Sequence, residues 1–338
     1  MENIKSTEII NSFNYAVNCD VVYSGLFTQN QVDKLGKESF HISDYNKDYL
    51  KIRNQSFLLK ENDLVFTSLE FIDELFHLLS PIKNLKNIKV LTHQSDRSIT
   101  KEMFDTKPKC ISTWFGINVD YENKNLIPIP IGLSNNHPKN VNFEHLNQQL
   151  NPETEKLLYL NFNIQTNAKH RQNLYEKFEI YDWVTVEKAN LTIESYAENL
   201  SAHKYSLCPW GNGLDTHRFW ESIYLGTIPI TQKKLTYKYA DGLPHLLVDK
   251  YEDIDINFLT KNNLSTKENF KYEKLRVGYW INLMDKKIDS KETYYVTSSG
   301  ITILYLDKKY HLKNSFHSKY KIASYYLKKI ISKLRNIF

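Results

Sequence analysis

Cysteine is nearly absent from this chain of 338 residues. Cys19, Cys110 and Cys208 are odd in number, widely spaced and without a C-x-x-C partner, which argues against a disulfide framework or a structural zinc site and fits a reducing compartment. Glycine and proline are also few, 10 and 9, so collagen-like and low-complexity architectures fall away. No apolar run reaches the roughly 18 residues of a membrane span, and the N-terminal MENIKSTEIINSFNYAVNCD lacks the apolar core of a signal peptide. A cytoplasmic protein is expected. What is present is globular: 41% hydrophobic and 25% charged residues, in a length that favours two domains.

Acidic residues are missing from one stretch. Between Lys308 and Phe338 there are nine Lys or Arg and no Asp or Glu. Removing those nine from the formal net charge of +5 leaves residues 1–307 mildly acidic. No nucleic-acid partner is expected, because phosphate-backbone affinity needs basic residues spread over a docking face.

Short β-rich runs alternate with helical stretches along the first half. Asp20–Ser24, Asp63–Thr67 and Asn87–Thr92 read as strands, and Leu69–Leu79 as an amphipathic helix with Phe71, Leu75 and Leu78 near one face. Prolines at alternate positions in LIPIPIG, Leu126–Gly132, exclude a helix and predict an extended crossing segment. Polar Asn140–Pro152 marks a domain boundary. The second half repeats the alternation: strands at Lys156–Asn161, Trp183–Glu187 and Tyr205–Cys208, then the TIPIT strand. Helices are expected at Lys169–Phe178, after the N-cap Thr192, and at His217–Leu225, stopped by Gly226. Such alternation predicts a parallel α/β fold.

The segment richest in chemistry is Tyr205–Ile230, YSLCPWGNGLDTHRFWESIYLGTIPI. Gly211 and Gly213 let a loop bring bare backbone close to a ligand. A helix starts directly afterwards, with Asp215 or Thr216 as its cap, and a helix N-terminus favours an anion by about 0.3–1 kcal/mol. Arg218 in the first turn suits a bidentate grip on a diphosphate, and Glu221 on nearly the same face suits ribose hydroxyls. The alternative is a surface ion pair between Arg218 and Glu221 beside an ordinary glycine turn.

This segment resembles the donor site of exostosin-type glycosyltransferases and, more loosely, that of the α1,3-fucosyltransferases. YLNFNIQTNAKHR (Tyr159–Arg171), VLTHQSD (Val90–Asp96) and IPIPIGLSN (Ile127–Asn135) are similar to further elements of the family. The resemblance implies two Rossmann-like domains facing across a cleft, the glycosyltransferase-B type: an acceptor domain over 1–150, a nucleotide-sugar donor domain over 151–290, and a C-terminal extension over 291–338. It implies donor-side roles for Asn163, Asn167, Arg171, Trp210, Gly211, Asn212, Gly213, Asp215, Thr216, His217, Arg218 and Glu221. Trp210 departs from the residue types expected before that glycine. Asp96, or His93, would be the general base across the cleft, and Arg218 would neutralise the leaving diphosphate.

Each residue also has a purely local reading. Asp96 as a turn or helix cap, His93 as a hydrogen-bonded loop histidine, and Asn163 and Asn167 as loop braces are the competing assignments. No metal or other cofactor is expected, since the only D-x-D, Asp253–Asp255, reads as solvated acidic positions. The tail Ser318–Phe338 spaces Ala323, Leu327, Ile330, Leu334 and Ile337 as a basic amphipathic helix. It would lie on an anionic membrane at the inner face or dock on its own protein.

The function expected is transfer of a sugar from a nucleotide donor to a glycan or lipid-linked oligosaccharide acceptor, with inversion and without metal, in bacterial surface polysaccharide assembly. The alternatives are another transferase on the same fold, for pyruvyl or polyol-phosphate groups, and a non-catalytic glycan- or nucleotide-binding module.

Overall fold

The computed structural model describes residues 4–36, 40–135, 156–188, 190–262, 264, 270–284 and 292–298. LVFTS and IKVLTH are buried at every position, as strands covered on both faces must be. They are the centre of the first sheet. Its strands are β1 (Val21–Phe27), β2 (Phe40–Asp44), β3 (Leu50–Asn54), β5 (Leu64–Ser68), β6 (Ile88–His93), β7 (Ile111–Gly116) and β8 (Leu126–Pro128), in the order β2-β3-β1-β5-β6-β7-β8. From β1 to β8 neighbours run parallel, whereas β3 pairs antiparallel with both β1 and β2. The proline-bearing β8 takes the sheet edge, where a missing N–H does no harm. Four helices accompany these strands: α1 (Ser12–Ala16), α2 (Gln29–Leu35), α3 (Ile72–Leu79) and α4 (Lys101–Asp105).

The second sheet is wholly parallel. Its strands β9 (Lys156–Leu160), β10 (Val184–Val186), β11 (His203–Leu207), β12 (Ile228–Gln232) and β13 (Leu246–Val248) lie in the order β10-β9-β11-β12-β13. Numbered from its own first strand this is 2-1-3-4-5, a doubly wound order whose switch point falls between β9 and β11. Its helices are α5 (Ala168–Phe178), α6 (Ile193–Ser201), α7 (His217–Tyr224) and α8 (Ile256–Lys261), followed by α9 (Val277–Met284). Thr192 caps α6 through a bond from the Ser195 amide, and Gly226, with φ 79°, ends α7 as expected.

The fold is therefore mixed α/β, compatible with the Rossmann-like class. The sequence reading lacked the parallel strand β7 as well as the hairpins. β2, β3 and β4 (Ser56–Lys60) were not foreseen, and Thr293–Thr297, inside the expected terminal extension, forms β14 and pairs antiparallel with β4. One apolar cluster joins the two halves: Phe66, Leu91 and Phe115 of the first sheet share it with Phe219, Trp220 and Tyr237. The chain also returns to its start, because the Val277 amide donates to the Glu8 carbonyl (2.7 Å) and Arg276 pairs with the Glu8 carboxylate (2.6 Å). The expected boundary at 140–152 and the tail helix at 318–338 lie outside the described residues. Among the described residues no helix is long and apolar enough to cross a membrane.

Candidate functional site

Two loops flank the switch point of the second sheet, residues 161–167 after β9 and 208–216 after β11. Arg171 of α5, 5% exposed, ties them together. Its guanidinium donates to the carbonyls of Asn163 (2.7 Å), Pro209 (2.7 Å) and Trp210 (3.3 Å) and to the Thr166 hydroxyl (2.6 Å). Burial, with the like charge of Arg218 second, lowers its pKa to about 10. Arg171 thus braces the two loops, and Gly211 leaves room for it: a Cβ at Gly211 would stand 2.9 Å from the Arg171 guanidinium. Asn163 caps the turn after β9 through the Gln165 amide (2.9 Å), and the Asn167 side chain reaches the Trp210 carbonyl (3.5 Å). Asn163 and Asn167 make the loop-bracing bonds of their local reading, and Arg171, expected at the donor side, also bonds to both loops.

Arg218 is different. Its guanidinium lies 5.6 Å from the centre of the Tyr196 ring, and its buried Nε has no hydrogen-bond partner among the described residues. Glu221 is not at the surface: its carboxylate is buried, accepts from the Tyr196 hydroxyl (2.7 Å), and interacts electrostatically with Arg218. The expected cap of α7 is also missing, since Thr216 occupies the N-cap position without a side-chain bond and its hydroxyl is unpartnered. Trp210 stacks on His170 (5.3 Å), carries Lys234 over its ring (5.7 Å) and keeps a buried indole N–H unpartnered. Unspent donors from Trp210, Thr216 and Arg218 therefore collect around one loop. A separate cavity of about 550 Å³, lined by Asn163, Gln165, Glu187 and Lys188, lies against the loop after β9 and includes no residue of the 208–216 loop or Arg218. Asn212 is exposed in that loop.

Asp215 is buried, and its carboxylate receives the Ile131 amide (2.9 Å), the Tyr239 hydroxyl (2.7 Å), the Trp220 indole (3.4 Å) and the Thr216 amide (2.8 Å). Burial pushes its pKa up to about 6, and these hydrogen bonds hold it down only in part. All four of these partners are groups of the protein itself. His217 Nδ1 donates to the Gly132 carbonyl (2.8 Å). Both contacts join the segment after β8 to the start of α7.

A cleft of about 780 Å³ opens at the carboxyl ends of β1, β5 and β6, lined by Ser68, Glu70, His93, Asp96, Arg97 and, from the second half, His217. Asp96 is exposed, and no hydrogen bond or ion pair holds its carboxylate among the described residues. It is available to a ligand. His93 is not: its Nδ1 accepts from the Gln94 amide (2.9 Å) and its Nε2 donates to the Ile131 carbonyl (3.1 Å). Burial, with His217 second, lowers its pKa to about 3, so it stays neutral and engaged at both nitrogens. The expectation of His93 as a base is corrected to a structural histidine.

Sequence reasoning missed Asn118, which is fully buried with φ 55° just after β7. Its Nδ2 donates to the Ser95 carbonyl (2.9 Å) and its Oδ1 accepts from the Asp215 amide (2.8 Å). Gly213 makes room for it, since a Cβ there would meet the Asn118 amide at 2.9 Å. The only available signal was an asparagine following a strand, a residue type that tolerates the left-handed region. In the D-x-D, Asp255 caps α8 through the Phe258 amide (2.6 Å), a local role. No family model matches the chain, and no curated protein matches it in sequence.

Proposed function

We propose that the protein is a glycosyltransferase of the glycosyltransferase-B type, moving a sugar from a nucleotide donor to a glycan or lipid-linked acceptor. The observation that carries this reading is the Arg218 guanidinium, unpartnered at Nε beside the switch point between β9 and β11. Ligands of open α/β sheets sit outside the carboxyl ends of the strands at such a point, and charged hydrogen bonds to a diphosphate are worth about 1.5–3 kcal/mol each. The first-half cleft, with the unheld carboxylate of Asp96, suits an acceptor hydroxyl and its general base. Arg218 would stabilise charge developing on the leaving diphosphate. The membrane-surface and cytoplasmic assignments rest on the sequence alone.

Thermal-shift screening with UDP, GDP, CDP and CMP tests the reading. A nucleotide at about 100 times its Kd stabilises the protein by about 2.7 kcal/mol, and Arg218→Ala removes most of that shift. An indifferent protein across the panel, or an undiminished shift in the variant, overturns the assignment. Nucleotide release from sugar donors then separates an enzyme from a binding module.

A further inference from the structure

Asn118 joins two loops that share no strand or helix. Its amide nitrogen holds the Ser95 carbonyl, one residue before Asp96, and its amide oxygen holds the Asp215 backbone, three residues before Arg218. Asp215 adds a second tie through its carboxylate to the Ile131 amide, and Ile131 in turn accepts from His93, which precedes Ser95 by two residues. The circuit closes: loop 93–96, Asn118, Asp215, Ile131, His93. Its members Asn118, Asp215 and His93 are all buried, at 0%, 4% and 3% exposure.

We infer that Asn118 and Asp215 are positioning residues, which set the loop bearing Asp96 at a fixed distance and angle from the helix bearing Arg218. The inference rests on the proposed transfer reaction for its catalytic consequence and not for its geometry. In-line displacement needs the base and the leaving-group cation in register, and an error of about 1 Å costs on the order of 100-fold in rate. A primary amide suits this task because it offers a donor and an acceptor in one rigid plane. An isolated buried carboxylate is an expensive group for a fold to keep. Here its four donors come from both halves of the chain, from Ile131 on one side and Thr216, Trp220 and Tyr239 on the other. The Gly213 approach adds the required clearance, since any side chain there displaces the Asn118 amide.

Two full-length variants test the inference. Asn118→Asp keeps the acceptor for the Asp215 amide, tolerates the left-handed backbone and loses the donor to Ser95. Gly213→Ala leaves every partner in place and wedges the amide aside. Hydrogen exchange is followed without ligand in peptides covering 93–98 and 214–224. Both peptides should speed up together, several-fold, in each variant. A change confined to one peptide, or none, overturns the positioning role. In turnover, kcat should fall at least tenfold with donor KM nearly unchanged, whereas a KM effect alone would mark Asn118 as part of a binding surface and overturn it as well. Should no donor be turned over by the wild-type protein, the transferase reading fails and the exchange measurement still decides the geometry.

Discussion

The Arg171 guanidinium is held by the Pro209 and Trp210 carbonyls on one loop and by the Asn163 carbonyl and Thr166 hydroxyl on the other. One side chain thereby ties together the two loops at the switch point of the second sheet. Replacing Arg171 by Ala leaves several part-buried acceptors without donors. A loss of about 2–4 kcal/mol is expected in urea denaturation. Arg171→Lys should recover little of it, because an ammonium cannot span both loops as a planar fork does. A loss under 1 kcal/mol would show that the loops do not depend on this brace.

Asp215 gives a pH dependence of stability with a defined sign. Its folded-state pKa is raised to about 6, above the ordinary aspartate value near 3.9. The folded chain therefore holds a proton between about pH 4 and 6 that the unfolded chain has released. The stabilising contribution of this group is complete below about pH 4 and is lost as pH rises through about 6. Asp215→Asn should remove that slope. The stability difference between wild type and variant should change by roughly 2–3 kcal/mol between pH 4 and 7. Parallel profiles would refute the buried-carboxylate account.

The Arg53 guanidinium and the Glu74 carboxylate form an ion pair at 3.3 Å with side chains 2% and 9% exposed, and Tyr23 also donates to Glu74. Removing one partner of such a pair takes away the compensation it gives the other's buried charge. Glu74→Ala should cost about 3–5 kcal/mol by chemical denaturation, far more than removal of the exposed Lys101–Asp105 pair. Equal effects from the two would contradict the burial argument.

On the proposed reaction, Asp96→Asn should abolish sugar transfer while leaving nucleotide-induced thermal shifts intact, which isolates the base from the donor site. His93→Asn should instead lower stability and leave the apparent pKa values of turnover in place, because His93 is neutral throughout the working range. If the acidic limb of the pH–rate profile vanished with His93, the roles of the two residues would have to be exchanged.

On the proposed reaction transfer should also survive EDTA, and liposome pelleting compared before and after cutting the chain near Lys308 separates a membrane-lying tail, for which pelleting weakens on cutting, from one docked on its own protein. Activity abolished by chelation and restored by Mn²⁺ or Mg²⁺ would contradict the metal-free reading. Equal pelleting of full-length and shortened protein would reject the membrane role of residues 318–338.

What was legible in the sequence were elements set by local chemistry. The apolar runs at β5 and β6, the Thr192 cap and the Gly226 stop of α7 each depend on neighbours a few residues away. β2 and β3 escaped because FHISD and LKIRN mix charge with apolar residues, and their pairing is fixed by register to one another and to β1. The place of Arg218 in the first turn of a helix after a glycine loop was legible. The meaning of the glycines was not. Gly211 and Gly213 admit Arg171 and Asn118, which lie 40 and 95 residues earlier in the chain. Asp215 likewise reads locally as a cap, while its principal partner, Ile131, is 84 residues distant.

The Tyr224 hydroxyl, at the last residue of α7, accepts from the Ile10 amide (3.0 Å) and donates to the Leu275 carbonyl (2.6 Å). The helix that begins beside Arg218 thus ends on a knot between an early and a late part of the polypeptide. During synthesis at about 5–20 residues per second, that fastening waits until residue 275 has left the ribosome, long after Ile10 has emerged. The tie should accordingly form late in translation, and nascent chains stalled before that point should leave the end of α7 unfastened from Ile10 and Leu275.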